Sequence, residues 1–85
     1  MEEETGEEIV VGSYVLRYRY PGVWRDDDGR VELRRTDLHA NVWSMVARQY
    51  PCMGFGRTVR EAAENLAYRI EQTGRSFAAS LREES

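Results

Sequence analysis

The chain has 85 residues, 41% of them hydrophobic and 32% charged, and a formal net charge of −3, which is the length and composition of a single globular domain. No apolar run approaches the roughly 18 residues that a membrane span needs, and the acidic start from Met1 to Glu8 lacks the basic and apolar regions of a secretory signal. A single cysteine, Cys52, excludes an internal disulfide, so a cytoplasmic protein is expected.

The charge is unevenly placed. Glu2, Glu3, Glu4, Glu7, Glu8, Glu83 and Glu84 are seven of the fifteen acids, so residues 9–82 hold eight acids against twelve basic residues. All twelve are arginine. That usage fits a G+C-rich coding genome, and it also fits a need for bidentate contacts to carboxylate or phosphate.

Residues 1–8 form an acidic leader without apolar periodicity and are expected to be mobile, ahead of one α+β domain over 9–85. Ile9 to Val11 begin the first strand. From Ser13 to Tyr20, Tyr14, Leu16, Tyr18 and Tyr20 alternate with Val15, Arg17 and Arg19, the period of a half-buried strand. Pro21-Gly22 breaks the run, and Asp26-Asp27-Asp28-Gly29 has the chemistry of a tight hairpin turn. A second strand follows from Arg30 to Arg35, with Val31 and Leu33 opposite Arg30, Glu32 and Arg34.

Residues 37–50 carry two patterns. Leu38, Val42, Met45 and Gln49 stand at helical spacing behind an Asp37 cap, whereas Val42, Val46 and the alternation Trp43/Met45/Ala47 favour a strand. We read Asn41 to Arg48 as a strand. Pro51 to Arg57 then form an irregular turn before a helix whose start is set by Thr58 and Glu61. In this capping box the Thr58 hydroxyl accepts from the N–H three residues on, and the Glu61 carboxylate reaches back to the Thr58 N–H.

Val59, Ala62, Ala63, Leu66 and Ile70 make the buried stripe of that helix, which runs to about Thr73 and stops at Gly74. Phe77 and Leu81 continue the stripe, in a second short helix or in one long helix that tolerates the glycine. The expected fold is α+β: an antiparallel sheet of three or four strands with one main helix packed on the face that carries Leu16, Val31 or Leu33, and Trp43.

Cys52, Gly56, Thr58, Glu61, Ala62, Asn65 and Ile70 stand in the order C-x3-G-x-T-x2-EA-x2-N-x4-I. Over about residues 41–72 this resembles the small domain of the HicB-type antitoxins. That resemblance implies a partial ribonuclease-H-like fold and a protein that binds and blocks a small, basic, mRNA-cleaving toxin of the HicA type. Family members usually carry an acid and a Pro-Gly pair before the cysteine, where this chain has Gln49-Tyr50-Pro51. No DNA-binding module is expected after the helix.

No catalytic, metal or cofactor site is expected. His39, the only histidine, has no partner that the sequence can place, and it matches no toxin motif. Asp26, Asp27 and Asp28 lack the alternating ligand spacing of a calcium loop and read as a solvated turn. Gly54-Phe55-Gly56 before a helix start could cradle a phosphate, but Glu61 in the first turn would repel it, so the glycines are read as corner geometry. Cys52 beside Pro51 reads as a packed small side chain.

The candidate interface residues are Arg17, Arg19 and Arg34, with Arg30 beside them, and the two tryptophans Trp24 and Trp43, one expected in the core and one partly exposed. The expected function is that of a non-catalytic protein-binding module, with the antitoxin as its particular form. Alternatives are an acidic inhibitor of a nucleic-acid enzyme, of the phage type, and a nucleic-acid binder acting through the arginine strands, the last less favoured because of the acidic ends. A homodimer is expected, since the first strand and the surplus aromatics leave surface to bury.

Overall fold

The strands follow one another in space as they do in sequence. The computed structural model describes residues 8–37 and 42–82. Its strands are β1 (Ile9–Val11), β2 (Tyr14–Tyr20), β3 (Val23–Arg25), β4 (Val31–Asp37), β5 (Val42–Ala47) and β6 (Tyr50–Gly56), followed by the helices α1 (Val59–Ile70) and α2 (Arg75–Arg82). All six strands join one antiparallel sheet in the order β1-β2-β3-β4-β5-β6.

Turn chemistry sets the first three reversals. Gly12, Gly22 and Gly29 have φ of 57°, 83° and 72°, a region where a side chain is strained. In the third turn Asp26 is buried, 7% exposed, and its carboxylate accepts the Val31 N–H at 3.0 Å. The side chain thus stands in for a backbone partner and fixes where β4 begins.

One row of inward side chains crosses five strands: Tyr18, Trp24, Leu33, Met45 and Gly54, each opposite the next. The row tapers from two aromatics to no side chain at all, because α1 lies directly on β6. A Cβ at Gly54 would stand 2.3 Å from the Leu66 nitrogen and 2.4 Å from the Ala62 carbonyl oxygen, and one at Gly56 would stand 2.6 Å from the Ala62 nitrogen. Ala62, Ala63 and Ala67 keep the facing side of the helix equally thin.

Around this contact Leu16, Trp24, Val31, Leu33, Met45, Leu66, Ile70, Ala78 and Leu81 form the core. Phe77 of α2 packs between Tyr14 of β2 and Tyr50 of β6, with ring centroids 5.6 and 5.4 Å apart. The Ser80 carbonyl accepts the Ser13 N–H at 3.0 Å, and the Tyr14 and Ser80 hydroxyls meet at 2.8 Å. The second helix therefore ties the start of the sheet to its end.

Several expectations are corrected. The sheet has six strands, not three or four, and two helices, not one. Ile9–Val11 is a strand of its own, separated from β2 by the tight turn at Gly12-Ser13. Val23–Arg25 is a short strand inserted between β2 and β4, where only turns were expected.

Pro51 to Gly56 is strand, not irregular turn, because its glycines answer to the close approach of α1 rather than to a bend. The first helix ends at Ile70, and the N–H groups of Thr73 and Gly74 close the chain back onto the Ile70 carbonyl at 3.1 and 2.7 Å. A bulge between Tyr18 and Tyr20 turns Tyr20 out of the inward row to which the alternation assigns it. Leu38 and His39 lie outside the described residues, as does most of the acidic leader.

Gly54→Ala should destabilise the fold by about 2–4 kcal/mol, since both atoms it would strike belong to backbone and cannot move aside. The midpoint of urea unfolding reads this out. A change under about 0.5 kcal/mol would mean that α1 does not rest on β6 as described.

Candidate protein-binding face

Both helices contribute to the core on the inner side of the sheet, and the strand alternation places the intervening side chains on the outer side. The register arranges these outer residues in two rows. One runs Arg17, Arg25, Glu32, Val46, Met53, and the other Tyr20, Val23, Arg34, Ser44, Phe55. The first row passes from charged side chains on β2 to β4 to apolar ones on β5 and β6, while the second carries its one arginine on β4 and ends on the Phe55 ring.

The arginines are neutralised. Arg17 meets Asp27 at 3.0 Å and also pairs with Glu8, and Arg19 stands 3.8 Å from Asp27. Arg25 meets Glu32 at 3.2 Å, and Arg34 pairs with the other oxygen of the same carboxylate. Glu32 is thus the shared acceptor of two guanidinium groups on neighbouring strands.

Partial burial alone would push the Glu32 carboxyl up, but hydrogen bonds from Arg34 and Arg25, with their positive charge, outweigh it and hold the group below the usual 4.5. The same bond raises the Arg34 guanidinium further. Such partly exposed pairs contribute little stability each, at most about 1 kcal/mol, but they leave the face close to charge balance.

Beyond the ion pairs Val23 and Ser44 are buried, and the exposed apolar part of the face lies on β6. Phe55 is 47% exposed and Met53 41%, with half-buried Val46 beside them on β5 and Ser44 buried underneath. Asn65 of α1 donates its side-chain N–H to the Phe55 carbonyl and so pins the strand that carries the aromatic ring. An anchored aromatic at the edge of a charge-balanced sheet face is well suited to a protein partner.

The sequence-derived candidates divide. Arg17, Arg19 and Arg34 do share this face, but β3 lies between their strands, so Arg25 is the neighbour of Arg17, while Arg30 stands in the turn before β4. Trp24 is wholly buried and offers no surface. Trp43 is half-buried on the inner side, 5.5 Å from the Trp24 ring and 5.7 Å from the Arg35 guanidinium.

Of the corner residues, Cys52, Gly56, Thr58, Glu61, Ala62 and Asn65 lie on β6, at the helix cap or in the first turns of α1, whereas Ile70 is the last residue of that helix. Cys52 is a half-buried free thiol, and Ala62 and Ile70 are buried. The Thr58 hydroxyl accepts the Glu61 N–H at 3.0 Å, as the capping box requires, but the Glu61 carboxylate accepts from the Arg57 N–H at 2.7 Å instead of from Thr58. The residues around the helix start already take up these groups, and the glycines face the helix backbone rather than a phosphate.

Of the three aspartates, Asp26 is buried as a turn acceptor, Asp27 pairs with arginines, and Asp28 alone fits the solvated reading. Among the described residues no group of three or more His, Cys, Asp or Glu could hold a metal ion, and no described helix is long and apolar enough to cross a membrane. Sequence reasoning missed Val46, Met53, Phe55 and Glu32. The available signal was the alternation of Met53 and Phe55 with Cys52 and Gly54, which is that of a strand.

The chain matches no described protein family, no curated protein and no solved structure.

A depressed carboxylate stabilises the fold fully above its unfolded-state value and loses that contribution as pH falls through its folded-state value. Stability should therefore drop below about pH 4.5 in the wild type, with a smaller drop in Glu32→Gln, which should also be less stable at pH 7 by on the order of 1 kcal/mol. Urea midpoints measured from pH 7 to pH 3 test this. Identical pH profiles would show that the two arginines do not hold Glu32 ionised.

Proposed function

We propose that this chain is a non-catalytic protein-binding module that engages its partner through the outer face of the sheet, with Phe55, Met53 and Val46 as the apolar anchor and the Arg25–Glu32–Arg34 cluster as the polar border. The observation that supports it is the exposed Phe55, held on a strand whose backbone is fixed by Asn65 and by the close contact with α1. A rigid, exposed aromatic loses little entropy on binding and buries a large apolar area.

The resemblance of the corner residues to HicB-type antitoxins makes a small, basic, mRNA-cleaving toxin of the HicA type the partner to test first. The net charge of −3 favours encounter with such a protein, and we place the chain in the cytoplasm, where that target would be met. Nucleic acid is the weaker reading, since every arginine of the outer rows has a carboxylate within ion-pair distance.

Co-expression with HicA-type toxins, scored by mRNA cleavage and by calorimetry on the purified pair, tests the function. Phe55→Ala should weaken binding at least about tenfold, or about 1.4 kcal/mol, and leave the melting temperature unchanged. Binding unaffected by Phe55→Ala and by Met53→Ser would remove the outer face from the reading. The absence of any toxin neutralised by the wild type would remove the antitoxin.

A further inference from the structure

The chain has three methionines, and the fold treats two of them in opposite ways. Met45 is wholly buried in the inward row, between Leu33 and Gly54. Met53 stands opposite Val46 on the outer side, 41% exposed, and belongs neither to the core nor to the side chains packed against it. Met1 lies outside the described residues.

A thioether is oxidised according to its access to the oxidant, so a peroxide in solution reaches Met53 and not Met45. The sulfur lone pair attacks one peroxide oxygen, the S–O bond forms as the O–O bond breaks, and the departing hydroxide takes up a proton and leaves as water. Sulfur gives up two electrons and the peroxide receives them. The product exchanges a flexible apolar side chain for a polar one whose oxygen calls for a hydrogen-bond donor.

The position of Met53 decides what that exchange does. Phe55 follows two residues later on the same side of β6, and Val46 faces Met53 from β5, so the new oxygen enters the apolar anchor of the outer face. A partner shaped to that anchor would have to bury the oxygen unpaired, at a cost in affinity. Cys52, the neighbouring residue, is half-buried and packs against the core instead.

We propose that Met53 is an oxidation site at which hydrogen peroxide switches off binding at the outer face while the fold stays intact. The proposal rests on the reading of that face as a protein-binding surface. The switch is reversible, because a reductase can return the sulfoxide to the thioether as two thiols become a disulfide and the oxygen leaves as water.

Treatment with dilute hydrogen peroxide and peptide mapping by mass spectrometry should place the added oxygen on Met53 at least about tenfold faster than on Met45. Fragment ions separate it from Cys52, and dithiothreitol reverses thiol oxidation but not the sulfoxide. Circular dichroism and the melting temperature should be unchanged, while retention on a phenyl column falls and affinity for a toxin found by co-expression weakens at least about tenfold. Met53→Leu should keep both through the same treatment, which also sets aside any oxidation of Met1. The peptide map and the column need no partner, so a wild type that binds no toxin would count against the antitoxin alone. Equal oxidation of Met45, an unfolded product, unchanged retention or toxin affinity, or the same losses in Met53→Leu would overturn the proposal.

Discussion

The contact between α1 and β6 is made backbone to backbone, and the rest of the architecture follows from it. Because Gly54 and Gly56 let the helix rest on the last strand, the helix cannot also cover the first, so the core must deepen toward β3 and β2. Trp24 and Tyr18 fill that depth, their rings meeting at 5.9 Å. A helix set higher on larger side chains would have made a flat layer with no need of a tryptophan. The tilt also leaves a gap beside β1 and makes α2 necessary, since only a second element can join Tyr14 to Tyr50.

This arrangement gives the two faces of the sheet separate tasks. The inner face is committed to the core by size: each inward position on the central row has the one volume that the helix leaves for it. The outer face is under no such constraint, and it carries paired charges on β2 to β4 and open apolar side chains on β5 and β6. Substitution at its exposed positions should therefore disturb the fold less than substitution on the inner face, provided that Glu32 keeps its two arginines.

The sequence made some of this legible and concealed the rest for identifiable reasons. The alternation in Tyr14–Tyr18 and Val31–Arg34, the strand through Trp43 and Met45, and the Thr58 cap depend on neighbours close in the chain, so they could be read directly. β3 is three residues long, too short to show a period between Gly22 and Asp26. β6 was hidden because glycine and proline ordinarily mark turns, and the reason for Gly54 and Gly56 lies in α1, residues further on. The outer patch needed the register of β5 against β6, and the face of Tyr20 was reversed by a bulge that alternation cannot reveal.

The strict meander also governs how the molecule assembles in time. Every strand pairs with its neighbour in the sequence, so the sheet can grow hairpin by hairpin with little loop-closure entropy at each step. The bonds from Ser80 to Ser13 and Tyr14 are different, since they join residues 66 or 67 positions apart. They join the first turn of the sheet to the second helix across the whole sheet and α1. Closure by α2 is thus the step of folding that carries the largest loop-closure entropy, in contrast to the local hairpins of the sheet.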